Sequence, residues 1–112
     1  MSYAMRVRTG LEEGELYPLF DNRKMTIGRN PANNIFIRDK NVSREHCQIV
    51  ATDQGCFLTD LQSTNGTFVN GERMTECQLK VGDEIRIGTT LLQLEEVNSH
   101  GRPITETAIL DS

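Results

Sequence analysis

Three short polar clusters contain the side chains of this sequence that could bind an anionic group. They read Thr-Ile-Gly-Arg-Asn-Pro at 26–31, Asn-Val-Ser-Arg-Glu-His at 41–46 and Ser-Thr-Asn-Gly at 63–66. A guanidinium such as that of Arg29 donates hydrogen bonds to an oxyanion in a planar fork, and Ser43 adds a hydroxyl donor beside a second guanidinium, Arg44. Binding residues concentrate in loops on a rigid scaffold, so the clusters together predict an oxyanion site.

The charge distribution supports an anionic ligand. The chain has a net charge of −4, yet between Arg23 and Arg44 it has six basic residues against a single acid, Asp39. A solvated basic face remains an alternative explanation, because charge runs usually are that. The acidic total and the small number of aromatic residues disfavour a nucleic-acid partner.

An enzyme is the weakest of the functional interpretations. The sequence contains no phosphate-binding Gly-x-x-x-x-Gly-Lys loop, Gly-x-Ser-x-Gly elbow or His-Glu-x-x-His pair. A nucleophile made from Ser43 and His46 would need a third group, and nothing in the spacing favours Asp39 or Asp60 for that role. A structural imidazole is the favoured role of His46. We therefore predict no catalytic residue, no metal and no cofactor.

The elements that position these clusters are predicted to be strands. Apolar residues alternate with polar ones in short runs such as 5–8, 25–27, 47–49, 85–87 and 92–95, and turn signals recur about every 8–12 residues. This pattern is typical of an all-β sandwich with on the order of ten short strands and no helix longer than about one turn. Two Asn-Gly pairs, Asn65-Gly66 and Asn70-Gly71, are hairpin signals; one of them could instead hold a side chain out towards a ligand.

Length and composition predict one domain and a cytoplasmic location. The 112 residues include three cysteines without a Cys-x-x-Cys spacing, which argues against a disulfide framework or a zinc site. No run of 18 apolar residues could span a membrane, and Met1 to Gly10 lacks the apolar core of a signal peptide. We expect a globular domain over 1–97 and a flexible tail over 98–112, where the strand pattern stops.

The order of the motifs resembles the forkhead-associated (FHA) domain family. Ile-Gly-Arg ends at Arg29, Val-Ser-Arg-Glu-His ends at His46, and Ser-Thr-Asn-Gly-Thr-Phe-Val-Asn-Gly ends at Gly71. The resemblance extends from about Met5 to Val97. It implies a β-sandwich of eleven strands whose loops at one end bind phosphothreonine in an extended peptide, without catalysis.

The resemblance also implies a role for each motif residue. Arg29 would contact the phosphate, Ser43 would donate its hydroxyl to another phosphate oxygen, and Arg44 would add charge or a further contact. Thr64 would lie beside the phosphate, and Asn65 would hydrogen-bond the main chain of the peptide. The residues that would support the loops are Gly28, His46, Gly66 and Asn70.

The implied partner is a protein or peptide that contains phosphothreonine. The alternative is a phosphate-independent module for protein interaction or oligomerisation. The tail adds a possible self-ligand, because Thr105 or Thr107 could be phosphorylated, and FHA domains often discriminate at the third residue after the phosphothreonine, which is Leu110 for Thr107. A tethered site has an effective concentration of about millimolar, although a disordered terminus is the simpler interpretation.

Overall fold

The computed structural model describes residues 2–98 and shows eleven strands within them. The strands are β1 Ser2–Thr9, β2 Leu16–Leu19, β3 Lys24–Gly28, β4 Ile35–Phe36, β5 Cys47–Thr52, β6 Gly55–Asp60, β7 Thr67–Val69, β8 Glu72–Arg73, β9 Glu76–Leu79, β10 Glu84–Ile87 and β11 Thr90–Val97. This part of the chain contains no helix, and so none that could cross a membrane. The all-β prediction and the predicted number of strands are confirmed.

The strands form two sheets packed face to face. One has six strands in the order β2-β1-β11-β10-β7-β8, and the other has five in the order β4-β3-β5-β6-β9. Every pairing between these strands is antiparallel except that of β3 with β4. Between β6 and β7 the chain passes from the five-stranded sheet to the six-stranded one, so residues 61–66 bridge the two sheets.

The core is formed by the inward-facing residues of both sheets. In β5, for example, Cys47, Ile49 and Ala51 are buried and alternate with partly exposed residues. Met5, on β1 of the facing sheet, is also completely buried. Burying a side chain of Leu, Ile or Met contributes about 1.5–3 kcal/mol, so the two inner faces supply a rigid support for the loops.

The loops with the three polar clusters leave the sandwich at the same end. Cys47 pairs with Asp60, so the segments before β5 and after β6 lie side by side. Ile87 pairs with Thr67, which places the turn after β10 next to the start of β7. Ser2 pairs with Val97, at the far end of the long β1–β11 pair. The 1–97 boundary of the domain stays a prediction, because the tail residues 99–112 are outside the described part.

The two Asn-Gly pairs have different structures. Asn70 and Gly71 have φ angles of 50° and 86° and form the two-residue loop between β7 and β8, as expected for a type I′ hairpin turn. The Asn70 side chain donates to Asp83 Oδ1 at 3.0 Å and accepts from the Glu84 N–H at 2.9 Å. Asn65-Gly66 does not form a hairpin; it lies in the loop that bridges the sheets.

Candidate functional site

Three loops, which we call the site loops, meet through direct hydrogen bonds: residues 29–34, 37–46 and 61–66. The Arg29 N–H donates to the Ser43 carbonyl at 3.0 Å, and the Ser43 hydroxyl oxygen accepts from the Thr64 N–H at 3.0 Å. The Asn65 side-chain amide donates to the Asn41 carbonyl at 3.0 Å. The Arg44 carbonyl accepts from the Asn30 N–H at 3.2 Å, so the fold brings all five predicted contact residues into one hydrogen-bonded cluster.

The Arg29 side chain uses its Nε for a hydrogen bond, whereas its two Nη groups have no partner among the described residues. It lies directly after the end of β3 and is exposed. Its Nε donates to the Val42 carbonyl at 2.9 Å, and within residues 2–98 its two Nη groups have no protein partner. Since an oxyanion accepts best from a preoriented guanidinium fork, this geometry leaves the Nη groups ready for a ligand.

The Ser43 hydroxyl has an unused donor. Its oxygen accepts from the Thr64 N–H, but in the described part of the chain its hydrogen is donated to no group. The bond to Thr64 fixes the position of the oxygen, while the proton can rotate towards a ligand. Thr64 and Asn65 are both exposed beside it. Ser43 can therefore donate to an oxyanion held by Arg29.

Arg44 is fixed by its backbone, and its side chain is free. The Arg44 carbonyl accepts from the Asn30 N–H at 3.2 Å and from the Asn33 side chain at 2.6 Å. The exposed guanidinium makes no hydrogen bond or ion pair among residues 2–98. Asn33, which is buried, was not predicted as a site residue from the sequence, because its burial depends on the tertiary contact with Arg44.

Gly28 allows the first two site loops to touch. A Cβ at this position would overlap the Arg44 carbonyl and lie 2.7 Å from the Asn33 side-chain nitrogen. The φ angle of Gly28 is not in the left-handed region, so glycine is required for space rather than for backbone conformation. The absence of a side chain thus sets the distance between the segments that carry Arg29 and Arg44.

His46 connects the second and third site loops through both ring nitrogens. Nδ1 accepts from the Ser43 N–H at 3.0 Å, so Nε2 is the protonated nitrogen that donates to the Gly66 carbonyl at 2.9 Å. Neither nitrogen contacts the Ser43 hydroxyl, so the imidazole is not placed to activate it as a nucleophile. Burial lowers the pKa of His46, against the opposing effects of the Gly66 hydrogen bond and the charges of Asp60 and Asp39.

This arrangement predicts a loss of stability in mild acid. A histidine whose pKa is lowered by folding binds a proton more readily when unfolded, so the free energy of unfolding should fall as the pH drops below about 6.5, the ordinary value. Thermal unfolding followed from about pH 7.5 to about pH 5 should show this fall in the wild-type protein. His46→Asn should be less stable throughout and show little change over that range.

His100→Asn is the matched control, because it removes the other histidine of the chain and should keep the pH dependence. The carboxylates of Asp39 and Asp60 do not interfere, since their pKa values are lowered from 3.8 and their contribution is lost only in stronger acid. An identical slope in wild type and His46→Asn would contradict the role of His46.

Two aspartates, Asp60 and Asp39, anchor the site loops through hydrogen bonds, a structural role that the sequence did not predict. Asp60 Oδ1 accepts from the hydroxyls of Ser63 and Thr67, each at 2.6 Å, and Ser63 Oγ accepts from the Gly66 N–H at 3.0 Å. Burial raises the pKa of Asp60, but these hydrogen bonds lower it by more, so the carboxylate stays charged. The 61–66 loop is thereby anchored at both ends.

Asp39 anchors the 37–46 loop to the turn between β10 and β11. Its Oδ2 accepts from the Thr89 N–H at 2.8 Å, the Thr89 hydroxyl at 2.7 Å and the Thr90 hydroxyl at 3.0 Å. Its Oδ1 accepts from the Asn41 N–H at 2.9 Å. The turn between β10 and β11 is thus joined to the site loops.

Comparisons with known proteins identify the family of this chain. The model of the FHA domain family matches residues 25–88, more than half of the chain. The oxoglutarate dehydrogenase inhibitor of Corynebacterium efficiens is 38% identical over 82 residues, which cover 73% of this chain and 57% of that protein. The chain thus spans little more than half the length of this curated relative.

Solved structures resemble the whole sandwich. One similar structure comes from a structural and functional analysis of phosphothreonine-dependent FHA domain interactions. It is 34% identical in sequence to this chain and superposes with a TM-score of 0.80, and the match covers 88% of this chain and 99% of that one. The FhaA FHA domain, solved in complex with the intracellular domain of Rv3910, is 35% identical to this chain with a TM-score of 0.76. The match covers 83% of this chain and 99% of that one. This chain therefore belongs to the FHA domain family, a family of non-catalytic binding modules.

Proposed function

We propose that this domain binds a phosphothreonine-containing segment of a partner protein, reversibly and without catalysis. The observation that carries the proposal is the pairing of two unused donors in one cluster: the Nη groups of Arg29 and the hydroxyl hydrogen of Ser43. A phosphate has about −1.5 to −2 charges and three acceptor oxygens, so it can accept from both residues at once. Arg44 adds a second exposed cation.

Asn65 is suited to bind the peptide main chain. Its amide nitrogen donates to the Asn41 carbonyl, and within residues 2–98 its Oδ1 has no donor. That oxygen can accept a peptide N–H next to the phosphorylated residue. The preference for threonine over serine rests on the related domain that was studied for phosphothreonine-dependent interactions. Thr64 is part of the cluster and would lie beside the phosphate.

Energetics favour a moderate affinity. Charge-assisted hydrogen bonds are worth about 1.5–3 kcal/mol each, and ordering a flexible peptide opposes them. Two or three such bonds supply about 3–9 kcal/mol before that cost, so we expect a dissociation constant of about micromolar or weaker. This strength is appropriate for a signalling contact that a phosphatase can reverse.

A phosphothreonine peptide library, with each peptide also prepared unphosphorylated and with phosphoserine, tests the proposal. We expect binding of phosphothreonine peptides, weaker binding of phosphoserine peptides and none without phosphate. Equal binding of phosphorylated and unphosphorylated forms would instead favour the phosphate-independent interaction or oligomerisation module.

Affinity should depend on salt and pH in a defined direction. Added salt should weaken the complex, because exposed charges are screened beyond about 8 Å at physiological ionic strength. Raising the pH through about 6 should tighten it, because the phosphate becomes a dianion. Calorimetry over a salt series checks the electrostatic part, and an affinity that does not change with salt would contradict it.

The expected setting is the cytoplasm, with a phosphoprotein as partner rather than nucleic acid or a membrane. Cys47 and Cys56 are buried, Cys77 is half-buried, and all three are free thiols. Free thiols are typical of a reducing compartment. The peptide library gives the residue preference around the phosphothreonine, which narrows the choice of partner.

The tail phosphothreonine is proposed to act between molecules. Thr105 and Thr107 lie outside the described residues, but their reach is bounded. β11 carries the chain from Thr90, at the site end, about 23 Å away to Val97, and the ten residues to Thr107 span at most about 36 Å. To return to its own site, the tail would have to extend to at least about two thirds of that maximum span, whereas a neighbour's site imposes no such limit.

Phosphorylation of Thr107 by semisynthesis tests this proposal. The modified protein should bind an external phosphothreonine peptide more weakly, and it should associate in a concentration-dependent way in sedimentation experiments. Deleting residues 103–112 should abolish both effects. If the modified and unmodified proteins bind the external peptide equally well, the tail is not a ligand.

A further inference from the structure

Two exposed arginines flank an aromatic ring on the outer face of the six-stranded sheet. Phe68 on β7 pairs with Arg86 on β10 and with Arg73 on β8. The Arg86 guanidinium lies over the Phe68 ring, 4.3 Å from its centroid, within the range of a cation–π contact. We call these three residues the Arg73–Phe68–Arg86 strip.

The strip touches the candidate site at two points. Arg86 lines a cavity of about 220 Å³ together with Asn41, Asn65, Gly88 and Thr89. On the other side, Arg73 Nε lies 2.8 Å from where a Cβ of Gly66 would be, so its side chain rests against the end of the 61–66 loop. A ligand that contacts Asn65 therefore has a cation nearby on both sides of Phe68.

The positive charges of the strip are not neutralised within the domain. The Arg73 guanidinium makes no hydrogen bond or ion pair with any residue in 2–98, and the Arg86 Nη1 has only a long contact of 3.4 Å with the Gly88 carbonyl. Glu84 lies two residues before Arg86 on the same strand face, but it forms no ion pair with it among the described residues. Both guanidinium groups are therefore available to an external anion.

We propose that the Arg73–Phe68–Arg86 strip binds acidic side chains, Asp or Glu, that flank the phosphothreonine in the partner segment. This inference rests on the proposed function, because it places the strip beside the bound peptide. The arginines belong to strands about 10 Å apart, on either side of β7, so each presents its own single-cation site. Two such sites match successive carboxylates better than one further phosphate.

Two phosphothreonine peptides test the proposal, one with glutamate and one with glutamine at every flanking position. Wild-type protein should bind the glutamate peptide more tightly. Since an exposed ion pair is worth at most about 1 kcal/mol, Arg73→Gln and Arg86→Gln should each reduce this preference about threefold to fivefold. The double variant should remove it, while the affinity for the glutamine peptide stays near the wild-type value.

Arg23→Gln is the matched control. Arg23 is also exposed and lies over an aromatic ring, that of Phe20, at 5.9 Å, but it follows β2 at the end of the sandwich away from the site. It should leave the preference unchanged. The proposal is overturned if the double variant keeps the preference for glutamate, or if it loses the same factor of affinity for both peptides.

Unphosphorylated versions of both peptides distinguish phosphate recognition by the site loops from carboxylate recognition by the strip. If they bind as tightly as the phosphorylated ones, phosphate recognition by the site loops fails. The ratio between the glutamate and glutamine peptides, and its loss in the double variant, still decides the role of the strip in that case.

Discussion

Replacing Arg29 by alanine should abolish phosphopeptide binding and leave the fold intact. The change removes the principal charge-assisted donor, which corresponds to a loss of about 3 kcal/mol or roughly a hundredfold in affinity. Arg29 is exposed, and its only side-chain hydrogen bond in the described structure goes to the Val42 carbonyl. Losing that bond should cost about 1 kcal/mol of stability or less.

Isothermal calorimetry and urea unfolding of the same protein sample measure the two effects separately. Ser43→Ala should weaken binding by less, about tenfold, because the guanidinium remains. Arg29→Lys should fall between them, since an ammonium group keeps the charge but loses the fork. Arg23→Ala, at the opposite end, should bind as wild type. Unchanged affinity in a folded Arg29→Ala protein would disprove the assignment.

Gly28→Ala should damage both stability and binding. The added Cβ would overlap the backbone carbonyl of Arg44, and a backbone atom cannot move aside as a flexible side chain can. Overpacking of this kind costs about 3 kcal/mol in tight sites. Because the shift separates the segments that carry Arg29 and Arg44, the remaining folded protein should also bind phosphopeptide poorly.

Gly82→Ala distinguishes crowding from backbone strain. At Gly82 a Cβ would meet nothing within 4 Å, but φ is +96°, so alanine should cost about 1–2 kcal/mol through conformation alone. Urea unfolding should rank Gly28→Ala as the more destabilised variant and leave phosphopeptide binding of Gly82→Ala normal. A Gly28→Ala protein as stable as Gly82→Ala would show that the loops tolerate the side chain.

The sequence by itself determined the features that depend on local chemistry. The strands could be predicted because inward positions such as Ile49 and Ile87 are apolar and alternate with polar residues. The Asn70-Gly71 turn could be predicted because both residues tolerate positive φ, which a two-residue hairpin requires. The order of the polar clusters identified the family. The strand and turn signals are each complete within a few neighbouring residues, and the family signal needs only the order of short motifs along the chain.

Only the tertiary structure decided how the site is assembled. Asn65-Gly66 has the same local signal as Asn70-Gly71, yet it bridges two sheets because β6 and β7 pair with different strands. Several contacts that position the loops join residues far apart in the sequence: His46 and Gly66 are 20 positions apart, and Asp39 and Thr90 are 51 positions apart.

The Arg73–Phe68–Arg86 strip depends on sheet register in the same way, since three strands must align to bring its members together. Side chains on neighbouring strands become adjacent only when the pairing is fixed, and a shift of one residue would move them to the opposite face. Strand pairing is set by burial of the whole core. No local pattern around Arg73 or Arg86 could therefore have predicted their position beside the site.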